Sequence, residues 1–276
     1  NMISSYMKKI SESKSPLKSG DCVIVMCDNS VEYVAIILTC IYFGFNIIPM
    51  VSLSNKNKSV EKTCQYLVAV VKAFKVKRIF VDYKNHTLLE DTNTLTGKHM
   101  KKSKLKLKLC KITLFSKNKI KTTYSLDFFK RDIAKKTGKH NKSKIVFLNE
   151  KDSLWNMTTT YTLNQLFKLC SVYKDTFNLN YSSRNISVIN HTQHIGFMKS
   201  CMLGIFLGAS TTLYSLNDIK NDCKDFFQDL MHLNLNEIYL NRDLFAFILI
   251  KSFDKKIKKI FQNIPHILIP YAGRPN

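Results

Sequence analysis

The sequence predicts an α/β fold built from two doubly wound units, on three observations. Short apolar, β-branched runs alternate with segments of helical periodicity from residue 21 onward, the pattern of parallel strands covered on both faces. The rhythm resumes past residue 144. There Ile205-Phe206-Leu207-Gly208 lines up with Ile41-Tyr42-Phe43-Gly44, each between a helical segment and an apolar strand. The composition, 45% hydrophobic and 23% charged over 276 residues, is globular and leaves room for one large core or two small ones.

Residues 21–27 (DCVIVMC) are short, apolar and β-prone, which predicts a buried strand. Asp28 and Ser30 offer helix N-caps, and Val31 to Tyr42 follows as a helix that stops at Gly44. Asn46 to Val51 is the next strand. Ser59 to Phe74 is a helix with Val60, Tyr66, Leu67, Val70 and Val71 as its apolar positions, and Lys77 to Asp82 a third strand. This β-α-β-α-β order demands right-handed crossovers in one sheet. Residues 84–143 change character, with Lys101, Lys102, Lys104, Lys106 and Lys108 in one burst. The Lys–Leu alternation fits a strand with one wet face, and the whole stretch fits a solvated insertion. Strands at 144–149, 185–190, 209–214, 237–240 and 266–269 follow, with helices at 162–177, 196–207, 221–233 and 243–251 between them. The resulting division is a first α/β unit at 1–83, a basic insertion at 84–143 and a second α/β unit at 144–276.

The net charge of +23 is large. It would attract nucleic acid or anionic membrane. A bias toward codons rich in A and T also produces abundant Asn, Lys, Ile, Phe and Tyr, and the lysines are scattered while arginine, the usual base reader, is rare. Nucleic acid is therefore not favoured, and peripheral contact with an anionic membrane stays open. Eight cysteines include no C-x-x-C pair and several lie in apolar runs, so they read as reduced, core-lining thiols of a cytoplasmic protein. Residues 1–20 are polar and Lys-rich where a signal peptide would be apolar, and read as the tail of a preceding segment. Val34 to Leu53 and Phe197 to Leu216 approach the length of a membrane span. Each contains a central Gly, and the second holds Lys199, so each reads better as helix, turn and strand.

Gly20 to Met50 (GDCVIVMCDNSVEYVAIILTCIYFGFNIIPM) resembles the opening of acyl-CoA synthetases and fatty acyl-AMP ligases. Cys170-x-x-Tyr173-Lys174-Asp175, Gly196-Phe197, Cys201 to Gly208 and Thr211-Thr212-Leu213-Tyr214 are similar to the adenylate-forming domains of the fungal disco-interacting protein 2 family. So is the terminal Ile269-Pro270-Tyr271-Ala272-Gly273-Arg274-Pro275. The resemblance covers residues 15–83 and 144–276. It implies the N-terminal domain of the adenylate-forming fold, with two stacked α/β subdomains, present in part. It also implies a chemistry in which a carboxylate attacks the α-phosphate of ATP, with ATP and Mg²⁺ as cofactors. His194, Gly196, Phe197, Gly273, Arg274 and Pro275 become candidates for the acyl or nucleotide pocket.

The pattern departs from the family where phosphate should be held. No glycine lies between Gly138 and Gly196, and Met157-Thr158-Thr159-Thr160 keeps hydroxyls without the backbone freedom of Gly. Thr158, Thr159 and Thr160 are therefore read as a degenerate phosphate loop, and Tyr161 stands where many relatives have His. Gln193-His194-Ile195-Gly196-Phe197 keeps the Gly of a His-Asp-x-Gly-like element and lacks the Asp. The chain ends before the family's adenine and ribose elements and catalytic Lys. The expectation is a non-catalytic acyl- or lipid-binding or scaffolding part of a larger lipid-metabolism protein, partnered by the remaining C-terminal portion and other domains. A truncated but genuine acyl-AMP ligase is the alternative, and a basic scaffold on membrane or nucleic acid the third reading. No catalytic residue is assigned. His191 and His194 are three apart but have no acidic or thiol neighbour in the same turn, so no metal site is expected. Trp155 reads as core, and Lys255-Lys256-x-Lys258-Lys259 as a solvated basic face.

Overall fold

The structure is a computed structural model. It describes residues 2–11, 17–52, 60–90, 109–111, 143–148, 158–188, 191–215, 223–233, 237–240, 242–251 and 255–269, with the single residues 98, 219 and 235. The chain divides into two compact units, Asn1–Leu163 and Asn164–Asn276.

The first unit is one six-stranded sheet in the order β4-β3-β1-β2-β5-β6. β1 (Cys22–Met26) lies parallel between β2 (Asn46–Met50) and β3 (Arg78–Val81), with Ile24 opposite Ile48 on one side and Ile79 on the other. The two residue sets of each strand face opposite sides. Ile24, Met26, Ile48, Met50, Ile79 and Val81 share a core with Cys64, Leu67 and Val70 of α3 (Val60–Ala73) and with Leu88 and Leu89 of α4 (Tyr83–Glu90). The alternate residues Val23, Val25, Ile47 and Phe80 are also buried, so the sheet is covered on both faces, as its near-continuous apolar strands require. α2 (Val31–Tyr42) packs on β1 and β2; its N-cap Ser30 accepts the Tyr33 N–H at 3.2 Å, and Gly44 ends the segment at φ 76°. Val34 to Met50 is therefore helix, turn and strand. No helix among the described residues is long and apolar enough to cross a membrane.

Residues 2–11 form α1 (Met2–Ser11), whose Tyr6 and Ile10 are buried where it packs on α2. Three expectations are corrected. The boundary at 143/144 moves, because β5 (Lys144–Leu148) pairs parallel with β2 and β6 (Thr158–Thr162) pairs antiparallel with β5; both extend the first sheet. Short apolar strands carry no label for the sheet they join. The segment 84–143 is not wholly solvated: its start is α4, with Asn85 and His86 buried, and β4 (Leu109–Lys111) pairs parallel with β3. Most of the remaining insertion lies outside the described residues, as do Trp155 and Gly273, Arg274 and Pro275. Finally, the strand at 209–214 was expected to be buried, yet β8 (Ser210–Leu213) is half-exposed, since three of its four residues are Ser or Thr.

In the second unit β7 (Arg184–Ser187) pairs parallel with β8, and β9 (Glu237–Tyr239) parallel with β10 (His266–Leu268). A parallel bridge from Arg184 to Leu235 connects the pairs, giving the order β8-β7-β9-β10. One core joins Ile186 and Val188 to Phe226 and Leu230 of α7 (Lys224–His232), Leu244 and Ile248 of α8 (Arg242–Lys251) and, at its margin, Ile257, Ile260 and Phe261 of α9 (Lys255–Gln262). α5 (Leu163–Thr176) buries Leu166 and Cys170. α6 is continuous from His194–Phe197 through a π-helical turn, Met198–Leu203, to Gly204–Leu207, and ends on Gly208 at φ 69°.

Candidate functional site

The most unusual chemistry in the second unit lies beneath the π-helical turn. Met198–Leu203 is buried at every position, Lys199 included. A lysine cannot stay charged in an apolar core without a partner. Here Lys199 Nζ donates to Glu237 Oε1 at the start of β9. The other carboxylate oxygen accepts from Tyr173 Oη of α5 at 2.9 Å, and Lys199 Nζ lies 3.4 Å from the same phenol. The rings of Tyr173 and Tyr239 approach the ammonium at 5.4 and 5.9 Å, within cation–π range. One residue on, Ser200 Oγ meets Ser187 Oγ of β7 at 2.7 Å. Three elements distant in sequence are thus tied by one polar cluster.

Burial pushes the Lys199 ammonium below its usual pKa, against the opposing pull of Glu237. Burial also raises the Tyr173 phenol well above its usual value, helped by the Glu237 carboxylate that it hydrogen-bonds. Perturbed groups of this kind mark active sites and structural ion pairs alike. Exposure decides between them: Lys199 is 0% and Glu237 1% exposed, so no substrate reaches the pair from solvent. The cluster positions helices. π-Turns occur mostly where a helix must accommodate a functional or strained residue, and here the accommodated residue is the buried cation.

A second constellation sits at the carboxyl ends of the first unit's parallel strands. The sheet order makes the gap between β1 and β3 the point where the winding reverses, the usual place for a ligand in an open α/β sheet. This gap is bridged from within. Asp82, just past β3, accepts the Asp28 N–H at 3.0 Å and the Asn85 N–H at 2.8 Å, while Asn85 Nδ2 bonds Ser52 Oγ at 2.9 Å. Lys84 closes on Asp28 at 3.1 Å. The protein's own carboxylate takes the backbone donors that an anionic ligand would need.

The residues singled out from sequence fall in both units. Thr158, Thr159 and Thr160 are exposed and extended in β6, opposite Leu148, Phe147 and Val146. They are a strand and not a loop; the turn of this hairpin is residues 149–157, outside the described residues. His194 is exposed in the first turn of α6, and partial burial of its ring lowers its pKa. Gly196 and Phe197 are buried in the same turn, one helical turn or less from Lys199. Among the described residues no group of three or more His, Cys, Asp or Glu could hold a metal ion. Sequence reasoning noticed Lys199 as an interruption of an apolar run and missed its role. A lysine flanked by Met198 and Cys201-Met202-Leu203 signals a buried cation; its partner Glu237, 38 residues away, carries no sequence signal.

No family model matches the chain. It is similar to the Homeostatic regulator of DAG of Saccharomyces cerevisiae, 37% identical over 302 aligned positions that cover 99% of this chain and 18% of that protein. It is also similar to an uncharacterized protein of Schizosaccharomyces pombe, 22% identical over 98% of this chain and 17% of that one. The chain thus spans less than a fifth of the curated relatives it matches. Among solved structures it matches the N-terminal domain of FACL13 from Mycobacterium tuberculosis with a TM-score of 0.64 at 9% identity, covering 100% of this chain and 62% of that one. ATP-bound MatB from Rhodopseudomonas palustris gives 0.63 at 11%, covering 98% and 48%. O-succinylbenzoate Coenzyme A Synthetase (MenE) from Bacillus subtilis, in complex with AMP, gives 0.60 at 11%, covering 99% and 60%. The fold is that of the N-terminal domain of adenylate-forming enzymes.

Proposed function

We propose that this chain is a degenerate adenylate-forming (AMP-binding) domain, of the disco-interacting protein 2 type, that binds an acyl or lipid-linked ligand or braces a longer cytoplasmic lipid-metabolism protein without making an acyl-adenylate. The observation that carries the reading is the β5–β6 hairpin. A phosphate cradle needs several backbone N–H groups converging on one anion. Thr158 to Thr160 instead run extended in an antiparallel ladder, where successive N–H groups point to opposite sides. The connection 149–157 (NEKDSLWNM) contains no glycine, the residue that most readily permits the backbone turns of a cradle. On this reading the extended threonines do not cradle the ATP and Mg²⁺ that the fold family implies, and no reaction step is routed through them. The relative named as a homeostatic regulator of DAG supports a lipid-linked role.

Two measurements on this chain test the reading together. ATP–pyrophosphate exchange over a panel of fatty acids should stay at the no-protein background. Titration with the fluorescent fatty acid cis-parinaric acid should saturate if the ligand-binding role holds. Exchange above background that is lost on changing Thr158, Thr159 and Thr160 to Ala would sink the non-catalytic reading. An absence of saturable binding would leave bracing as the role.

A further inference from the structure

We infer that the amino-end edge of the first unit's sheet is a docking surface for anionic membrane. The place of this surface goes beyond the proposed function; the choice of membrane as the anion rests also on the lipid-linked reading. β3, β1, β2 and β5 run parallel side by side, so their first residues share one edge. Lys77, just before β3, donates its backbone N–H to the Cys22 carbonyl of β1 at 2.9 Å. Asn46, first in β2, donates its own to the Asp21 carbonyl at 2.9 Å. Ile47 pairs with Ile145, which sets Lys144 beside Asn46. Lys77 and Lys144 therefore begin strands three spacings apart, about 14 Å at about 4.8 Å each. Between them Lys18 sits in the turn before β1, where its carbonyl accepts the Asp21 N–H at 3.0 Å. α3 brings the chain to the same edge, with Lys72 in its last turn and Lys75 just beyond.

All five lysines are exposed, and among the described residues none of their ammonium groups has a hydrogen-bond or ion-pair partner. Asp21 is the one acidic residue described on this edge, and its carboxylate accepts the Lys18 backbone N–H at 2.7 Å. The opposite edge is the reverse. Asp28, Glu32 and Asp82 follow the carboxyl ends of β1 and β3, and Lys84 there is paired with Asp28 at 3.1 Å. The described charges of the sheet's two edges are thus sorted, with unpaired cations at one and carboxylates at the other.

Part of this pattern serves the fold. Lys72 and Lys75 lie where the negative end of the α3 dipole favours cations. Lys18, Lys77 and Lys144 precede or begin strands, whose net dipoles are small, and serve no helix end. They repel one another and the α3 pair, and an anionic surface turns that repulsion into attraction. Spread over the starts of three strands, they match an extended anionic surface better than one small anion. Nucleic acid fits less well. Arg78, the one arginine described on this edge, is buried, and no aromatic side chain described there is exposed for stacking on a base.

The test is vesicle flotation with the whole chain, on phosphatidylcholine vesicles with and without about one-third phosphatidylserine, at low and high salt. The main variant is Lys18→Ala/Lys77→Ala/Lys144→Ala, with its three single changes. The control removes equal charge from exposed positions of the second unit, Lys168→Ala/Lys174→Ala/Lys258→Ala. Circular dichroism checks the folding of each, and the single variants carry the test if the triple does not fold. We expect binding to the anionic vesicles alone, weakened by salt. It should fall about five-fold in each single variant and about 100-fold in the triple. It should change little in the control, and Lys18→Arg/Lys77→Arg/Lys144→Arg, which keeps the charge, should bind as the parent does. No binding to anionic vesicles, equal binding to neutral ones, or an equal loss in the control would overturn the proposal. So would tighter binding to a DNA duplex that the alanine triple abolishes, which would assign the edge to nucleic acid. Flotation reads this edge alone, so its failure leaves the exchange and fatty-acid tests of the proposed function standing.

Discussion

Removing one partner of the Lys199–Glu237 pair should cost far more than removing both. Lys199 is 0% and Glu237 1% exposed, so neither charge finds water when its partner is lost. In Lys199→Met the Glu237 carboxylate keeps, among the described residues, the Tyr173 hydroxyl, a neutral donor at 2.9 Å. In Glu237→Gln the ammonium keeps the Tyr173 oxygen at 3.4 Å and two aromatic faces. Breaking a buried pair costs about 3–5 kcal/mol, whereas exchanging both members for neutral groups of similar volume is often close to neutral. Each single variant should therefore lose about 3–5 kcal/mol, a large part of the stability of an ordinary domain. The double variant Lys199→Met/Glu237→Gln should lie within about 2 kcal/mol of the parent. Urea unfolding, followed by far-ultraviolet circular dichroism, yields the four free energies of the double-mutant cycle. A coupling energy of at least about 2 kcal/mol is expected. Single variants that each cost under about 1 kcal/mol, or effects that simply add, would refute the claim that this pair holds the π-turn to β9 and α5.

Gly44→Ala should destabilise more than Gly208→Ala: both sit at positive φ, 76° and 69°, but a Cβ at 44 would meet Ser19 Oγ at 2.5 Å while at 208 it meets nothing. Thermal unfolding should put Gly208→Ala at about 1 kcal/mol and Gly44→Ala above it; equal costs would show that the Ser19 contact yields freely. Gly204→Ala should cost about 1–3 kcal/mol despite the helix preference of Ala, because its Cβ would lie 2.4 Å from Thr211 Oγ1 and 3.1 Å from the Ala209 carbonyl. Adding Thr211→Ala should recover part of that loss in a denaturant titration, and no recovery would place the strain elsewhere. Cys170 is fully buried, and burial raises its thiol from 9.0 to about 12. The folded state then keeps a proton that the unfolded thiol loses, so stability should fall as pH rises from about 9 to 12, by about 1.4 kcal/mol per pH unit for that one proton. Cys170→Ala should flatten the alkaline slope by that amount; an unchanged slope would contradict the assignment.

The candidate site was legible only in part. His194, Gly196 and Phe197 do fall in one helical turn, because a resemblance over contiguous residues survives folding intact. Thr158 to Thr160, expected in a loop, lie in a strand. Three β-branched residues before a helix suit a strand better than a turn, and here they pair with β5. Lys199 was visible as an anomaly, but a buried cation announces only that a partner exists.

The sequence by itself determined the alternation of buried strand and helix. Apolar periodicity is local, and CVIVM, NIIPM and RIFV have few alternatives to a doubly covered sheet. It also determined the turn at Gly44, whose positive φ few other residues tolerate. Only the tertiary structure decided which sheet each strand joined, placing KIVFL beside β2 and TTTYT beside KIVFL in the first unit instead of at the start of the second. Only it brought Tyr173, Lys199 and Glu237 from three separate elements to one point. Strand pairing and ion pairing are long-range choices among chemically similar candidates. The free energy that selects one of them resides in burial and contact, which no local window of sequence contains.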